Sequence, residues 1–199
     1  MQTPTFHHER ELLAAGYACI VGVDEVGAGA LAGPVVAAAV VLPLASRLKL
    51  IRDSKLLSAS QREGLFDLIC EKSDAFAIGM ASTEEIQECN IRGATLLAMR
   101  RAVEQIEGVD FALVDAWSIP GISIPQRGIV RGDQSVKSIA AASIIAKVHR
   151  DRLMCDFAND YPEYGFDIHK GYGTKMHREA LKLHGPCPIH RTGFRGVLT

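Results

Sequence analysis

The 199-residue sequence has few of the features that mark specialised classes of protein. Its five cysteines are odd in number, widely spaced and without any Cys-x-x-Cys pair, which argues against a disulfide framework and against a zinc site. We therefore expect free thiols in a reducing compartment, and a cytoplasmic location. Glycine (18) and proline (8) are too few for a collagenous or low-complexity chain.

Long hydrophobic runs are also missing. The longest one covers residues 34–44, only 11 residues, which is too short to span a bilayer. Charged and histidine side chains occupy residues 7–11, where a signal peptide would have its apolar core. We expect no membrane partner.

Charge of one sign is not in excess overall, because the formal net charge is −1. Nothing global therefore indicates a polyanionic partner. Residues 169–199, however, hold six Lys or Arg against one acid, Glu179. This basic end is compatible with a polyanion partner and equally with an ordinary solvated surface.

What the sequence does contain is a series of short apolar runs and helical periodicities, which predicts an α/β fold with a mixed, five-stranded sheet flanked by helices. Strands are predicted at residues 18–24, 35–42, 75–81, 111–114 and 128–130. Helices are predicted from Ser58, over 91–107 and over 135–159. We expect one monomeric domain over residues 1–199, with a helical, basic segment at about 160–199 packed on it.

Acidic residues lie where several predicted strands end. In α/β sheets, ligand-binding and catalytic residues are concentrated at such strand ends. Asp24 and Glu25 follow the first strand, Asp115 follows the fourth, and Asp133 precedes the long helix. Each also has an ordinary interpretation: Asp133 as a helix N-cap, Asp115 as a turn former, and the first pair as a solvated strand end.

Four converging carboxylates without His or Cys ligands form a hard-oxygen site that suits Mg²⁺ or Mn²⁺. Bound cations would offset the repulsion among the acids. Two such ions, about 3.5 to 4 Å apart, can clamp a phosphodiester and activate a water. Neighbours in a strand face opposite sides, so Asp24 and Glu25 can both serve only if the strand is ending there.

Two further segments are candidates for ligand contact. The first is the glycine-rich loop of residues 27–33, whose backbone N–H groups can approach a ligand closely. The second is His169-Lys170-Gly171-Tyr172-Gly173-Thr174, in which Tyr172 could stack on a sugar or base while Lys170 and Lys175 meet phosphates. An ordinary turn with a partly buried tyrosine is the alternative.

These segments resemble, in order, the motifs of the ribonuclease HII family. The quoted matches are Gly22-Val23-Asp24-Glu25-Val26-Gly27-Ala28-Gly29-Ala30-Leu31-Ala32-Gly33-Pro34-Val35, Asp53-Ser54-Lys55-Leu56-Leu57-Ser58, Leu113-Val114-Asp115, Gly132-Asp133, residues 140–148 with Arg150-Asp151, and residues 169–174. The resemblance extends from about Phe6 to Phe194.

The resemblance implies a ribonuclease H fold and an endonuclease that cuts the RNA strand of RNA–DNA hybrids and nicks 5′ of single ribonucleotides in duplex DNA, leaving 5′-phosphate and 3′-hydroxyl ends. The family's metal-binding and catalytic carboxylates match Asp24, Glu25, Asp115 and Asp133. Its ribose-stacking tyrosine matches Tyr172. Lys55, Ser143 and Lys147 match positions expected to contact phosphate or support the site.

One position departs from the family pattern. The family's Gly-Arg-Gly segment, which contacts the ribose 2′-hydroxyl and neighbouring phosphates, matches Gly27-Ala28-Gly29 here. The loop keeps its backbone donors and lacks a cation. This departure leaves open an RNA–DNA hybrid-binding protein with weakened or lost catalysis. A separate alternative is an unrelated two-metal phosphatase, which would leave Tyr172 and the glycine-rich loop unexplained.

Overall fold

A computed structural model describes residues 3–46, 48, 51 and 57–198 of the chain. Its strands are β1 (Ile20–Val26), β2 (Val35–Val41), β3 (Ala75–Ala81), β4 (Phe111–Asp115) and β5 (Gln126–Ile129). The helices in this part of the chain are α1 (His7–Ala14), α2 (Ala59–Lys72), α3 (Thr83–Glu104), α4 (Gly132–Ser135), α5 (Lys137–Asp160), α6 (Phe166–His169) and α7 (Lys175–His184), with a 3-10 turn at Pro162–Tyr164.

The strands form one sheet in the order β3-β2-β1-β4-β5. β2 pairs antiparallel with both β1 and β3, while β4 pairs parallel with β1 and with β5. The five-stranded mixed sheet flanked by helices is therefore confirmed. None of the helices in the described residues combines the length and the apolar composition that crossing a bilayer requires.

Helices cover both faces of the sheet, which explains the uninterrupted apolar sequence of β2. Ala38 and Val40 pack in a cluster with α2 and α5, whereas Ala37 and Ala39 pack in a cluster with α3. All seven residues of β2 are consequently buried. A strand that is buried on both faces loses the polar alternation of a half-exposed strand.

The long helix α5 lies very close to the middle strand of the sheet at Gly22. A Cβ atom on Gly22 would come within 2.3 Å of the carbonyl carbon of Ser138, which is far inside van der Waals contact. Glycine is thus required there by the packing of α5 on β1. Glu9 of α1 holds the same end of α5: its Oε1 accepts hydrogen bonds from the Ser138 amide (3.0 Å) and hydroxyl (2.8 Å).

Several predicted boundaries need correction. β1 runs to Val26 and not to Asp24, because its pairing with β2 continues to the Val26–Val36 pair. α1 was not predicted at all. α3 begins at Thr83, eight residues before the predicted start, with a capping box between Ser82 and Glu85.

The predicted start of α3 at Ile91 nevertheless marks a real break in the helix. Asn90 is non-helical (φ 59°, ψ 171°), and its side-chain oxygen accepts hydrogen bonds from the amides of Arg92 (3.0 Å) and Gly93 (3.2 Å). Asn90 therefore caps a second helical segment. The predicted capping box of α2, Ser58 with Gln61, is confirmed by both of its hydrogen bonds.

The C-terminal part of the chain packs around a group of buried histidines. His177 of α7 is fully buried and His190 is 2% exposed, and their Nε2 atoms are 2.9 Å apart. Such a contact needs one N–H donor and one lone pair, so the pair fits neutral rings. Burial lowers the pKa of each ring to about 4.

We expect this histidine pair to make the fold sensitive to acid. An unfolded histidine takes up a proton near pH 6.5 and the folded ones only near pH 4, so protons favour the unfolded chain in between. The free energy of unfolding should fall by about 2 kcal/mol for His177 between pH 7 and pH 4.5. Urea unfolding at both pH values measures this loss.

The matched comparison uses His177→Gln and, as control, His184→Gln at the exposed end of the same helix. His177→Gln should reduce the difference in unfolding free energy between the two pH values, and His184→Gln should leave it as in the wild type. An equal pH dependence in all three proteins would show that the buried pair does not control it.

Candidate active site

The carboxylates of Asp24 and Asp115 meet where two parallel strands lie side by side. β1 and β4 are in register up to the Val23–Val114 pair, so Asp24 and Asp115 are the next residues along each strand. Parallel strands carry side chains of paired positions on the same face. The strand-end argument therefore placed these two acids correctly, although Asp24 lies inside β1 and not after it.

Glu25 joins this pair, for a different reason from the one expected. The sequence argument required β1 to end near Asp24, yet β1 continues through Glu25 to Val26. Even so, oxygen atoms of Asp24, Glu25 and Asp115 all lie within 4.8 Å of one another. The longer side chain of Glu25 can reach the same point from within the strand.

Burial and mutual repulsion dominate the electrostatics of these three acids. Asp24 is 5% exposed. Desolvation, followed by the charges of Glu25 and Asp115, raises the pKa of Asp24 well above its usual value. Hydrogen bonds from the Ser143 side chain and from the Glu25 amide (2.8 Å) to the Asp24 carboxylate act in the opposite direction.

Asp133 lines the same cleft without belonging to the close group of three. It lies in α4 and is buried, and the N-cap of α4 is Arg131 while that of α5 is Val136. The interpretation of Asp133 as a helix N-cap is therefore wrong. Asp115 is tied to this segment, because its Oδ1 accepts a hydrogen bond of 2.6 Å from the Gly132 amide.

The four acids share a cleft of about 330 Å³ with three residues that the motifs had singled out: Ser143, Lys147 and Tyr172. The Tyr172 ring is partly exposed. Lys147 Nζ lies 5.7 Å from the ring centroid and the guanidinium carbon of Arg150 lies 5.5 Å from it. Lys147 also forms an ion pair of 2.7 Å with Asp151. The cleft thus has an acidic wall and a wall with an aromatic ring beside cations.

The donor set of the cleft fits a hard divalent cation. Asp24, Glu25 and Asp115 offer carboxylate oxygens and no nitrogen or sulfur ligand, and they are the only such group of three metal-binding side chains in the described residues. Oxygen ligands of this kind suit Mg²⁺ or Mn²⁺. Burial first, and then the charges of Glu25 and Asp115, raise the pKa of Asp24, and a bound cation would offset both effects.

The glycine-rich loop lies on Arg150. Gly27 has φ +91°, and a Cβ atom there would come within 2.2 Å of Arg150 Nε. Both the backbone conformation and the contact thus require glycine at this position. Ala28 is partly exposed and Gly29 is exposed, with no atom within 4 Å of where a Cβ of Gly29 would be.

Two other predicted contact residues, Lys55 and Lys170, are not among the residues that line this cleft in the described part of the chain. Lys55 falls outside the described residues. Lys170 Nζ bonds the Cys155 sulfur at 2.9 Å, and Lys170 lines a separate cleft with Arg62 and Arg152. The structure therefore does not bring Lys170 to the acidic cleft.

Sequence reasoning missed the part that two arginines play. Arg150 and Arg191 are both fully buried, and they donate hydrogen bonds to backbone carbonyls of the glycine-rich loop. For Arg150 a signal existed, since helical spacing continues the buried positions Ala142 and Ala146 to residue 150. Arg191 has no comparable pattern around it.

Comparisons with known proteins identify a family that the chain matches over most of its length. The family model described as Ribonuclease HII matches residues 21–197. The ribonuclease HII of Caldicellulosiruptor bescii is 48% identical over 190 residues, covering 95% of this chain and 92% of the relative.

Solved structures share the fold. The ribonuclease H2 from Pyrococcus horikoshii OT3 aligns with a TM-score of 0.76 at 24% identity, over 90% of this chain and 95% of that one. Bst-RNase HIII in complex with Mn²⁺ aligns with a TM-score of 0.71 at 18% identity, over 92% and 68% of the two chains. At these identities the likeness supports the ribonuclease H-like fold alone. The sequence match over nearly the whole chain carries the assignment further: this chain belongs to the ribonuclease HII family, and it is a metal-dependent endoribonuclease of the ribonuclease H class.

Proposed function

We propose that the chain hydrolyses the RNA strand of RNA–DNA hybrids and nicks duplex DNA on the 5′ side of a single embedded ribonucleotide, leaving 5′-phosphate and 3′-hydroxyl ends. The observation that carries this proposal is the meeting of the acidic group and Tyr172 in one cleft. Acids alone would suit many phosphodiester substrates, whereas an aromatic ring beside them suits a sugar or base next to the reacting phosphate.

The metal requirement follows from the donor set. Asp24, Glu25, Asp115 and Asp133 would hold two Mg²⁺ or Mn²⁺ ions. When bound, such a pair activates the attacking water and stabilises the leaving oxygen. The Mn²⁺ complex of the similar Bst-RNase HIII supports a divalent ion of this kind.

The side chains of the protein itself orient the reacting groups. Ser143 holds the Asp24 carboxylate by a hydrogen bond, which fixes the direction of one ligand oxygen. Lys147 pairs with Asp151 and also lies near the Tyr172 ring. Its ammonium group can contact a phosphate there while it keeps the ion pair with Asp151. Tyr172 offers the accessible part of its ring for stacking on the ribose or its base. The loop at Gly27-Ala28-Gly29 would supply backbone N–H donors to the neighbouring phosphate and the 2′-hydroxyl.

The test uses an end-labelled DNA duplex that contains one ribonucleotide, incubated with the protein and Mg²⁺ beside an all-DNA duplex and an RNA–DNA hybrid. We expect a nick 5′ of the ribonucleotide, cutting of the hybrid, and no cutting of the all-DNA duplex. Retention without a nick would favour a binding protein that has lost catalysis, and neither binding nor cutting would favour a phosphatase. A 2′,3′-cyclic phosphate end would mean that the 2′-hydroxyl attacked and water did not.

Replacing one of the crowded acids should lower the activity of the protein and raise its stability. Asp24→Asn should lower kcat by about 100-fold or more, because the metal site loses a charged ligand. The same change should raise the melting temperature of the metal-free protein, since a buried and repelled charge disappears. EDTA should abolish cleavage, and Mg²⁺ or Mn²⁺ should restore it.

Asp156→Asn is the matched control, because Asp156 is an exposed acid on α5. It should leave both kcat and the melting temperature unchanged. A lower melting temperature with full activity in Asp24→Asn would mean that Asp24 is a structural residue and not a metal ligand.

Tyr172 should act through its ring. Tyr172→Ala is expected to reduce kcat/KM by the equivalent of about 1 to 3 kcal/mol, the usual free-energy contribution of stacking on a base. Tyr172→Phe should keep most of the wild-type kcat/KM, because it keeps the ring. Steady-state kinetics on the duplex with one ribonucleotide measures both. Equal losses in the two variants would assign the function to the hydroxyl group.

Ala28 tests the charge on the loop. Ala28→Arg should tighten substrate binding and steepen the log–log salt dependence of affinity by about one unit, as one added phosphate contact requires. Ala28→Gln, similar in length and neutral, should leave the salt slope unchanged. If the two variants had the same slope as the wild type, an arginine at this position would not reach a phosphate.

A further inference from the structure

Two buried guanidinium groups hold the glycine-rich loop from inside the protein. Arg191 donates from Nη1 to the carbonyls of Ala28 (3.1 Å) and Ala30 (2.8 Å), and from Nε and Nη2 to that of Gly33 (2.9 and 2.8 Å). Its planar fork thus satisfies three carbonyls of one short loop. The guanidinium reaches these carbonyls from three separate nitrogens, whereas a lysine ammonium would have to reach all of them from a single atom.

Arg150 binds further carbonyls next to this loop and links the loop to residues 169–174, the segment that contains Tyr172. It donates to the carbonyls of Ala32 (3.0 Å) and Pro34 (3.0 Å), and with Nη1 to that of Lys170 (2.9 Å), two residues before Tyr172. The loop carbonyls that these two arginines bind therefore point inward.

The groups that bind these two charges directly are backbone carbonyls, although the charge of Asp151 also acts on Arg150. Neither Arg150 nor Arg191 forms a salt bridge within the part of the chain that the structure describes. Burial, with the neighbouring charge of Arg150, lowers the pKa of Arg191 to about 9. A buried charge without an ionic partner is costly, even where carbonyls solvate it. An anion bound on the outer side of the loop would offset this cost.

The outer side of the loop offers such a place. The Ala28 carbonyl that Arg191 binds belongs to the same peptide unit as the Gly29 N–H, and a charged donor on the carbonyl makes that N–H a stronger donor. Gly29 is exposed and the space beside it is open. The next two amides are used within the fold: Ala30 donates to the Gly27 carbonyl and Leu31 to that of Gly171.

We propose that Arg191 is a positioning residue for substrate. By binding the Ala28 and Ala30 carbonyls from the protein interior, it fixes the conformation of the loop and strengthens the Gly29 N–H as a donor to a phosphodiester oxygen. This inference rests on the proposed function only for the identity of the anion as a nucleic-acid phosphate. The loop has no positively charged side chain at Ala28, and the buried guanidinium of Arg191 supplies a positive charge from the interior side of the loop.

The experiment compares the wild type with Arg191→Lys, which keeps the positive charge and loses the planar guanidinium group. In EDTA, to prevent cleavage, the Kd for a DNA duplex with one ribonucleotide should rise about tenfold. With Mg²⁺, KM should rise similarly while kcat at saturating substrate stays within about twofold. Arg100→Lys is the matched control, since Arg100 is an exposed arginine of α3 paired with Glu104. It should change neither quantity.

The amide resonance of Gly29 separates positioning from a merely structural role. Addition of the duplex to the wild type should shift this resonance, and Arg191→Lys should reduce the shift at equal saturation. A lower melting temperature alone, with Kd, KM and the Gly29 shift unchanged, would overturn the proposal. So would a fall in kcat at unchanged KM.

Two further outcomes keep the inference distinct from the proposed function. If Arg191→Lys does not fold, the wild-type titration still decides: a Gly29 amide that stays fixed while the Tyr172 amide shifts would overturn the proposal. If the wild type binds the duplex through Gly29 without cutting it, and Arg191→Lys weakens that binding, the proposed function fails and the role of Arg191 stands.

Discussion

The close contact of α5 with β1 sets the position of almost every group in the candidate site. The helix approaches the strand at Gly22, where no side chain fits, and from there it runs over the acids. Ser143 bonds Asp24, Lys147 lies beside Tyr172, and Arg150 lies under the glycine-rich loop. These positions follow one another at spacings of three to four residues, so a single face of one helix serves three parts of the cleft.

The cleft is built from like charges that have been pushed together on each side. Carboxylates crowd at the ends of β1 and β4, and two guanidiniums are buried against the glycine-rich loop that follows β1. Each group alone is destabilising, because its members repel one another and have lost water. The arrangement is complementary to a ligand that brings cations to one side and phosphate oxygens to the other. Stability given up here has to come from elsewhere, chiefly from the clusters on both faces of the sheet.

The sequence was sufficient for the elements whose signals are local. The buried run of β2, the capping box at Ser58 and the acids beside Val23 and Val114 were all predicted from neighbours in the chain. The one-domain, monomeric organisation and the cytoplasmic location stay predictions. Features that depend on distant partners were not accessible. The approach of Glu25 to Asp115 depends on strand register, and the burial of Arg191 depends on carbonyls far away in the chain.

The hydrogen bonds between Arg191 and the loop also say something about the order in which the protein is completed. Arg191 follows Ala28 by 163 positions, so a ribosome makes the loop long before it makes the arginine that anchors it. The neighbouring contacts repeat this separation, since the Gly33 amide bonds the carbonyl of Ile189 and the Arg191 amide that of Leu31. The sheet can assemble once β5 has emerged, whereas the loop must wait for Ile189 and Arg191. A nascent chain would therefore have its acids in place before the glycine-rich loop is anchored.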